Sequence, residues 1–180
     1  MKLKIKFFIV FLSGIIICSC DENPVSDTTL YESEKYKVYS DIINSEFTQG
    51  LIFIIDSTAS GYWIINENPS YLPDTIQTIF PALKPETLAM YKYLNETRTI
   101  IENKFNLLID YEIISTNETI DSLNYVIIDL TNAAFNKLYT QSLVYIGFIE
   151  RFGGFGRFLY LEKKEDNWEV KGSKYVWSLK

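Results

Sequence analysis

The sequence predicts an α+β domain in which N-terminal helices pack on a curved antiparallel sheet. Apolar residues recur three and four apart in the first half, as in Val38, Tyr39, Ile42, Ile43 and Phe47, which marks one face of a helix. The last third instead breaks into short aromatic and β-branched runs divided by glycines and charged turns, the pattern of a meander. The first 19 residues are patterned differently again, as a targeting segment and not as part of a domain.

That segment carries Lys2, Lys4 and Lys6, then an apolar run from Phe7 to Ile17 broken only by Ser13 and Gly14, then Ile17-Cys18-Ser19-Cys20. This order is that of a secretory signal, and the run falls short of the ~20 apolar residues a membrane span needs. It resembles the lipobox of bacterial lipoproteins, with Ile17, Ser19 and Cys20 at its −3, −1 and +1 positions. The resemblance implies cleavage before Cys20 and a diacylglyceryl thioether on its sulfur, often with a further N-linked chain such as palmitate. Two or three chains hold a protein firmly where one holds it weakly. The expected organisation is a signal peptide over 1–19, a tether over 20–29 and one α+β domain over 30–180. Asp21-Glu22 after the cysteine resembles the acidic export tag of surface lipoproteins in the Bacteroidota.

Along the domain, Thr29-Leu30-Tyr31-Glu32 has the spacing of a capping box, and the helical stripe predicts a helix over 30–48 stopped by Gly50. Leu51 to Asp56 is a short Ile-rich run bounded by glycine and small residues, hence a buried strand, and Tyr62 to Ile65 is a candidate return strand. Pro69 and Pro73 mark a loop. Asp74 is placed to cap a short helix through Phe80, and Pro85 opens another through about Asn95 with Leu88, Tyr91 and Leu94 on its apolar face. Strands follow near 109–115, from Tyr125 to Leu130, from Ser142 to Arg151 and from Gly156 to Lys163. Trp168 to Val170 and Tyr175 to Trp177 complete the meander. Between Gly156 and Lys163, Phe158 and Tyr160 face one way, and Arg157, Leu159 and Leu161 the other. Apolar residues on both faces predict a central strand covered on both sides.

Losing Lys2, Lys4 and Lys6 with the leader takes the 17 basic residues to 14 against 23 acidic, a net charge of −9. Such a body does not attract nucleic acid, and anionic headgroups repel it, so membrane contact is expected through the lipid alone. Both cysteines lie at the leader's end and there is no histidine. That excludes disulfides, Ser-His-Asp and Cys-His catalysis and the usual zinc sites in the mature chain. No lysine has a serine three positions before it, so a Ser-x-x-Lys dyad is absent too. No catalytic residue, metal or cofactor is predicted.

The candidate ligand site is Phe152-Gly153-Gly154-Phe155-Gly156-Arg157, where Arg151, Gly153, Gly154 and Arg157 could cradle an anion. The same glycines serve a tight connection between two aromatic strands more simply. Asp56-Ser57-Thr58-Ala59-Ser60-Gly61 followed by Glu67 mimics a calcium loop with weak ligands. Asp56, Asp110, Asp129 and Glu150 lie near predicted strand ends, and two such carboxylates suffice for glycoside chemistry. Asp27-Thr28-Thr29, Asp56-Ser57-Thr58, Asp74-Thr75-Ile76 and Asp121-Ser122-Leu123 resemble the O-glycosylation acceptor of the Bacteroidota, and equally read as caps or turns. Trp168 and Trp177 would stack on glycans if exposed, but the core explains them first.

From Leu130 to Phe135, through Thr140-Gln141-Ser142-Leu143-Val144-Tyr145, Gly153-Gly154-Phe155-Gly156 and Tyr160-Leu161-Glu162-Lys163 to Trp168-Glu169-Val170, the chain resembles uncharacterised bacterial lipoproteins of the Bacteroidota. That resemblance brings no activity with it. The ending is also similar in pattern to the final meander of cystatin-like or nuclear-transport-factor-like cone folds. The expectation is a non-catalytic lipoprotein of the cell envelope, on the inner or outer membrane or at the cell surface. It would bind a glycan or protein partner of that compartment. The alternative is a carboxylate-dependent hydrolase acting on glycans.

Overall fold

A computed structural model describes residues 27–59, 73–116, 118, 120 and 125–179. The leader, Cys20, the tether as far as residue 26 and the predicted strand from Tyr62 to Ile65 lie outside the described residues. In chain order the elements are α1 (Thr28–Glu46), β1 (Leu51–Ile55), α2 (Pro73–Ile79), α3 (Pro85–Leu94), β2 (Asp110–Ile114), β3 (Val126–Leu130), β4 (Ala134–Phe135), β5 (Gln141–Glu150), β6 (Gly153–Lys164) and β7 (Asn167–Leu179). Among the described residues no helix is long and apolar enough to cross a membrane.

The protein is α+β, with its helices packed on one large sheet of order β2-β1-β3-β5-β6-β7, β4 pairing beside β5. β3, β5, β6 and β7 form the expected antiparallel series. The sheet is nevertheless mixed, because β1 runs parallel to both β2 and β3. Parallel neighbours need a long crossover, and α2 and α3 lie in the one between β1 and β2. β7 is one continuous strand, so Tyr175 to Trp177 continues the strand that Trp168 to Val170 opens. Register shifts at Gly156/Arg157 and Tyr160/Leu161 on its partner absorb the irregularity.

Alternation along β5 and β6 builds two cores. Val144, Ile146, Leu159 and Leu161 join Ile52, Ile54, Ile128 and Leu130 under Val38, Tyr39, Ile42 and Ile43 of α1. Leu143, Tyr145, Phe158 and Tyr160 face the other way, against Ile76 of α2, Phe80, Leu83, and Leu88 and Tyr91 of α3. The central, doubly covered strand expected from Phe158 to Leu161 is thus β6. Each fully buried aliphatic or aromatic side chain contributes about 1.5–3 kcal/mol, and the described residues, which include no cysteine, build both cores from such burial.

α1 starts before the expected capping box. The Asp27 carboxylate accepts from the Thr29 and Leu30 amides, both at 3.0 Å, and its charge suits a helix N-terminus. Glu32, the other half of that box, pairs instead with Lys35 at 2.7 Å. Pro85 stands at the start of α3 as expected. At the other end of α3, Asn95 and Asn132 are both 2 % exposed and bond reciprocally. Asn95 Oδ1 accepts from the Asn132 amide at 2.7 Å, and its Nδ2 donates to the Asn132 and Tyr91 carbonyls at 3.1 and 2.9 Å. Asn132 Nδ2 donates to the Leu94 carbonyl at 2.9 Å, and its Oδ1 accepts from the Thr99 hydroxyl at 2.8 Å. This knot fastens the end of α3 to the segment that leaves β3.

Candidate functional site

The sequence-predicted site residues do not converge. Glu150 pairs with Gly153 across a two-residue turn of Arg151 and Phe152, and the Arg151 guanidinium rests 5.1 Å from the Phe152 ring at that tip. Gly154 lies opposite Ile149, and a Cβ there would fall 2.5 Å from the Phe148 carbonyl oxygen, so close backbone approach requires the glycine. Arg157 is buried on the α1 side. It is ion-paired with Glu46, and its guanidinium sits 5.4 to 5.8 Å from the Phe155, Phe148 and Tyr175 rings. Arg151 and Arg157 therefore serve different contacts, and these glycines belong to a hairpin.

The other motifs disperse as well. Thr58 is fully buried with its hydroxyl 3.3 Å from that of Thr99, while Ser60, Gly61 and Glu67 lie outside the described residues. Among the described residues no three carboxylates group as metal ligands. Trp168 is a core residue, 5 % exposed, with Nε1 donating to Glu34 at 2.9 Å. Asp110 and Glu150 are exposed at strand ends. Of the four strand-end acids, Asp129 is the one the structure sets among buried polar side chains.

Asp129 begins a row that crosses four strands. It pairs with Gly147 on β5, Gly147 with Gly156 on β6, and Gly156 with Trp177 on β7. Two side-chain-free positions side by side let larger groups lie flat on the sheet. Tyr145, on the same face as Gly147, fills that space. Its hydroxyl is 3.4 Å from where a Gly147 Cβ would stand and 2.1 Å from where a Gly156 Cβ would stand. Trp177 Nε1 comes within 2.3 Å of that second position and donates to the Tyr145 hydroxyl at 2.7 Å. The phenol thus accepts from the indole and keeps its own proton to give.

Tyr91 of α3 enters the same neighbourhood. It is fully buried and its ring meets Phe158 edge-on at 5.6 Å, as Tyr145 does at 5.7 Å. Among the described residues its hydroxyl has no hydrogen-bond partner of good geometry, with the Thr131 side chain, Tyr145 and Asp129 as its polar neighbours. Burial, and to a lesser extent Tyr145 and Asp129, push the Tyr91 phenol well above its usual range, with Thr131 pulling the other way. Burial is also the main reason Tyr145 is pushed up to about 12, with Trp177 opposing. Asp129 is raised to about 6, first by burial, with Arg98 and the Leu130 amide pulling the other way.

An orphaned buried hydroxyl is costly, about 1–3 kcal/mol, and the desolvation that raises Asp129 adds to that. Tyr91, Asp129 and Tyr145, with Arg98 as a nearby cation, form one polar cluster. Tyr145 and Trp177 fill the space over the two glycines, so the group left with unmet hydrogen-bonding capacity is the Tyr91 hydroxyl. Sequence reading reached Asp129 and Trp177 but missed Tyr91, Tyr145 and Arg98. The available signal was Gly147, alone inside an otherwise apolar strand, which marks a close approach.

The Asp129 shift has a definite sign. Its folded pKa lies above the ordinary carboxylate value, so the native state keeps a proton that the unfolded chain releases. The associated stability is present at low pH and is lost as pH rises from the ordinary value of 3.8 to about 6. Asp129→Asn should therefore stabilise the domain by about 1–3 kcal/mol near neutral pH, and by much less near pH ~4. Urea unfolding of both proteins across that range checks it. A variant less stable than the parent at neutral pH would mean that Arg98 outweighs burial.

Comparison with protein families, with curated proteins and with solved structures finds no match.

Proposed function

We propose that this chain is a lipid-anchored lipoprotein of a bacterial cell envelope, held by acylated Cys20, whose domain binds a ligand or partner and performs no catalysis. The observation that carries the reading is the leader: three lysines, the apolar run from Phe7 to Ile17, and Ser19 immediately before Cys20. The cluster around Asp129 and Tyr91, whose hydroxyl is unpartnered among the described residues, supports the binding role. Its ligand would be small and rich in hydroxyl or amide groups, the functional groups of an envelope glycan or a peptide end. Burying such groups against unpaired partners gives specificity, because an analogue lacking them leaves the site's own groups unmet.

One observation favours a second reading, a carboxylate-dependent hydrolase of glycans. Asp129 is held above the ordinary carboxylate value and keeps its proton to higher pH, as a general acid must. That chemistry also needs a second carboxylate about 5–10 Å away.

The test is growth with radiolabelled fatty acid. The parent should take up label and sediment with membranes. Cys20→Ala should take up none and lose membrane retention. Equal retention of the two would end the reading. Turnover of envelope glycans by the purified domain, abolished by Asp129→Asn, would move the assignment to the hydrolase.

A further inference from the structure

We infer that the loop over 136–140 is a foot that rests on the bilayer, with Leu138 and Leu30 entering the boundary between headgroups and acyl chains of an uncharged lipid surface. The inference rests on acylation of Cys20, and it adds a protein contact to the one made by the acyl chains.

The loop is built to hold its leucine outward. Asn136 is 1 % exposed. Its Oδ1 accepts from the Thr140 and Gln141 amides at 2.8 and 3.1 Å, and its Nδ2 donates to the Thr140 hydroxyl at 2.8 Å. The Asn136 carbonyl also accepts from the Tyr139 amide at 2.9 Å. Tyr139 has φ +51°, a left-handed conformation rare for a bulky residue. That turn sends its ring inward, 5.1 Å from Phe135, and leaves Leu138 74 % exposed. A side chain fixed in place by its loop loses little further freedom when it docks.

The tether ends beside this loop. Asp27, Leu30 and Glu34 of the α1 entrance line one shallow groove together with Lys137, Leu138 and Tyr139. Leu30 is 42 % exposed there. Only six residues lie between Cys20 and Asp27, and the seven steps of ~3.3–3.6 Å reach at most about 25 Å. The Arg151–Phe152 tip lies at the far end of β6, whose 12 residues span roughly 40 Å. An acylated Cys20 therefore brings the foot to the membrane and turns that tip toward solvent.

Charge selects the kind of surface. Glu34 is engaged by Lys163, and the Asp27 carboxylate by the helix amides. Lys137 and Glu165, of opposite charge, both line the same groove. With a body of net −9 behind them, these groups give anionic headgroups no purchase. Apolar insertion into neutral lipid is what Leu138 and Leu30 offer.

The mature chain has no thiol beyond Cys20, so Leu138→Cys or Phe152→Cys each takes one fluorophore. The acylated full-length proteins are mixed with phosphatidylcholine vesicles carrying quencher-labelled acyl chains, and flotation reads anchorage separately. The label at 138 should be quenched roughly threefold or more beyond the label at 152. Proteins that float with equal quenching at both positions would overturn the foot while leaving the anchor intact. Proteins that do not float would overturn the anchor and the foot together. Quenching at 138 that appears only when phosphatidylglycerol is added would also overturn it, since charge and not apolar contact would then be responsible.

Discussion

Gly156→Ala is expected to destabilise the domain by about 2–4 kcal/mol, because the new methyl overpacks a filled site and breaks a buried hydrogen bond. The Cβ would stand 2.1 Å from the Tyr145 hydroxyl and 2.3 Å from Trp177 Nε1. Neither ring can give easily. Tyr145 is 1 % exposed and packed on Phe158, and moving Trp177 forfeits its bond to Tyr145. For a chain of this size that corresponds to a fall in Tm of roughly 5–12 °C. Tyr145→Phe removes the atom the methyl strikes first. The double variant should therefore lose at least about 1 kcal/mol less than the sum of the single variants. Thermal melts of the four proteins form the cycle. Strict additivity would show that Gly156 is needed for some reason other than the rings laid across it.

The second large effect lies at the asparagine knot. Asn95→Ala should cost about 3–5 kcal/mol, by orphaning buried backbone groups as well as deleting bonds. The Asn132 amide and carbonyl lose their partners inside a region where both asparagines are 2 % exposed. The Tyr91 carbonyl keeps the Asn95 amide at 3.2 Å, so α3 itself should persist. What should loosen is its attachment to the segment after β3. Hydrogen exchange is then expected to rise at residues 131–133 more than within β5 and β6. Uniform loss of protection across the sheet would mean that the knot is part of the global core and not a local fastening.

The meander was legible because its residues carry their own signals. Turn glycines, charged tips and two apolar faces between Phe158 and Leu161 define β5 to β7 from local sequence alone. The two helices after Pro73 and Pro85 were legible for the same reason. The parallel pairing of β1 was not, because a run such as Leu51–Ile55 says it is buried and is silent about its neighbours' direction. The polar cluster was hidden for a related reason. Tyr91 on α3 and Tyr145 on β5 both read as core aromatics, and they are; only the fold shows that Tyr91's hydroxyl is unpaired and that both face Asp129. Conversely, Arg151 and Arg157 looked like a pair in sequence, and the strand separates their roles.

The most direct measurement is the intact mass of the protein extracted from membranes with detergent. The account predicts a chain beginning at Cys20 that carries a diacylglyceryl group, with or without a further fatty acyl chain on its amine. A mass matching an unmodified Cys20, or a chain that still retains Lys2, Lys4 and Lys6, would contradict it.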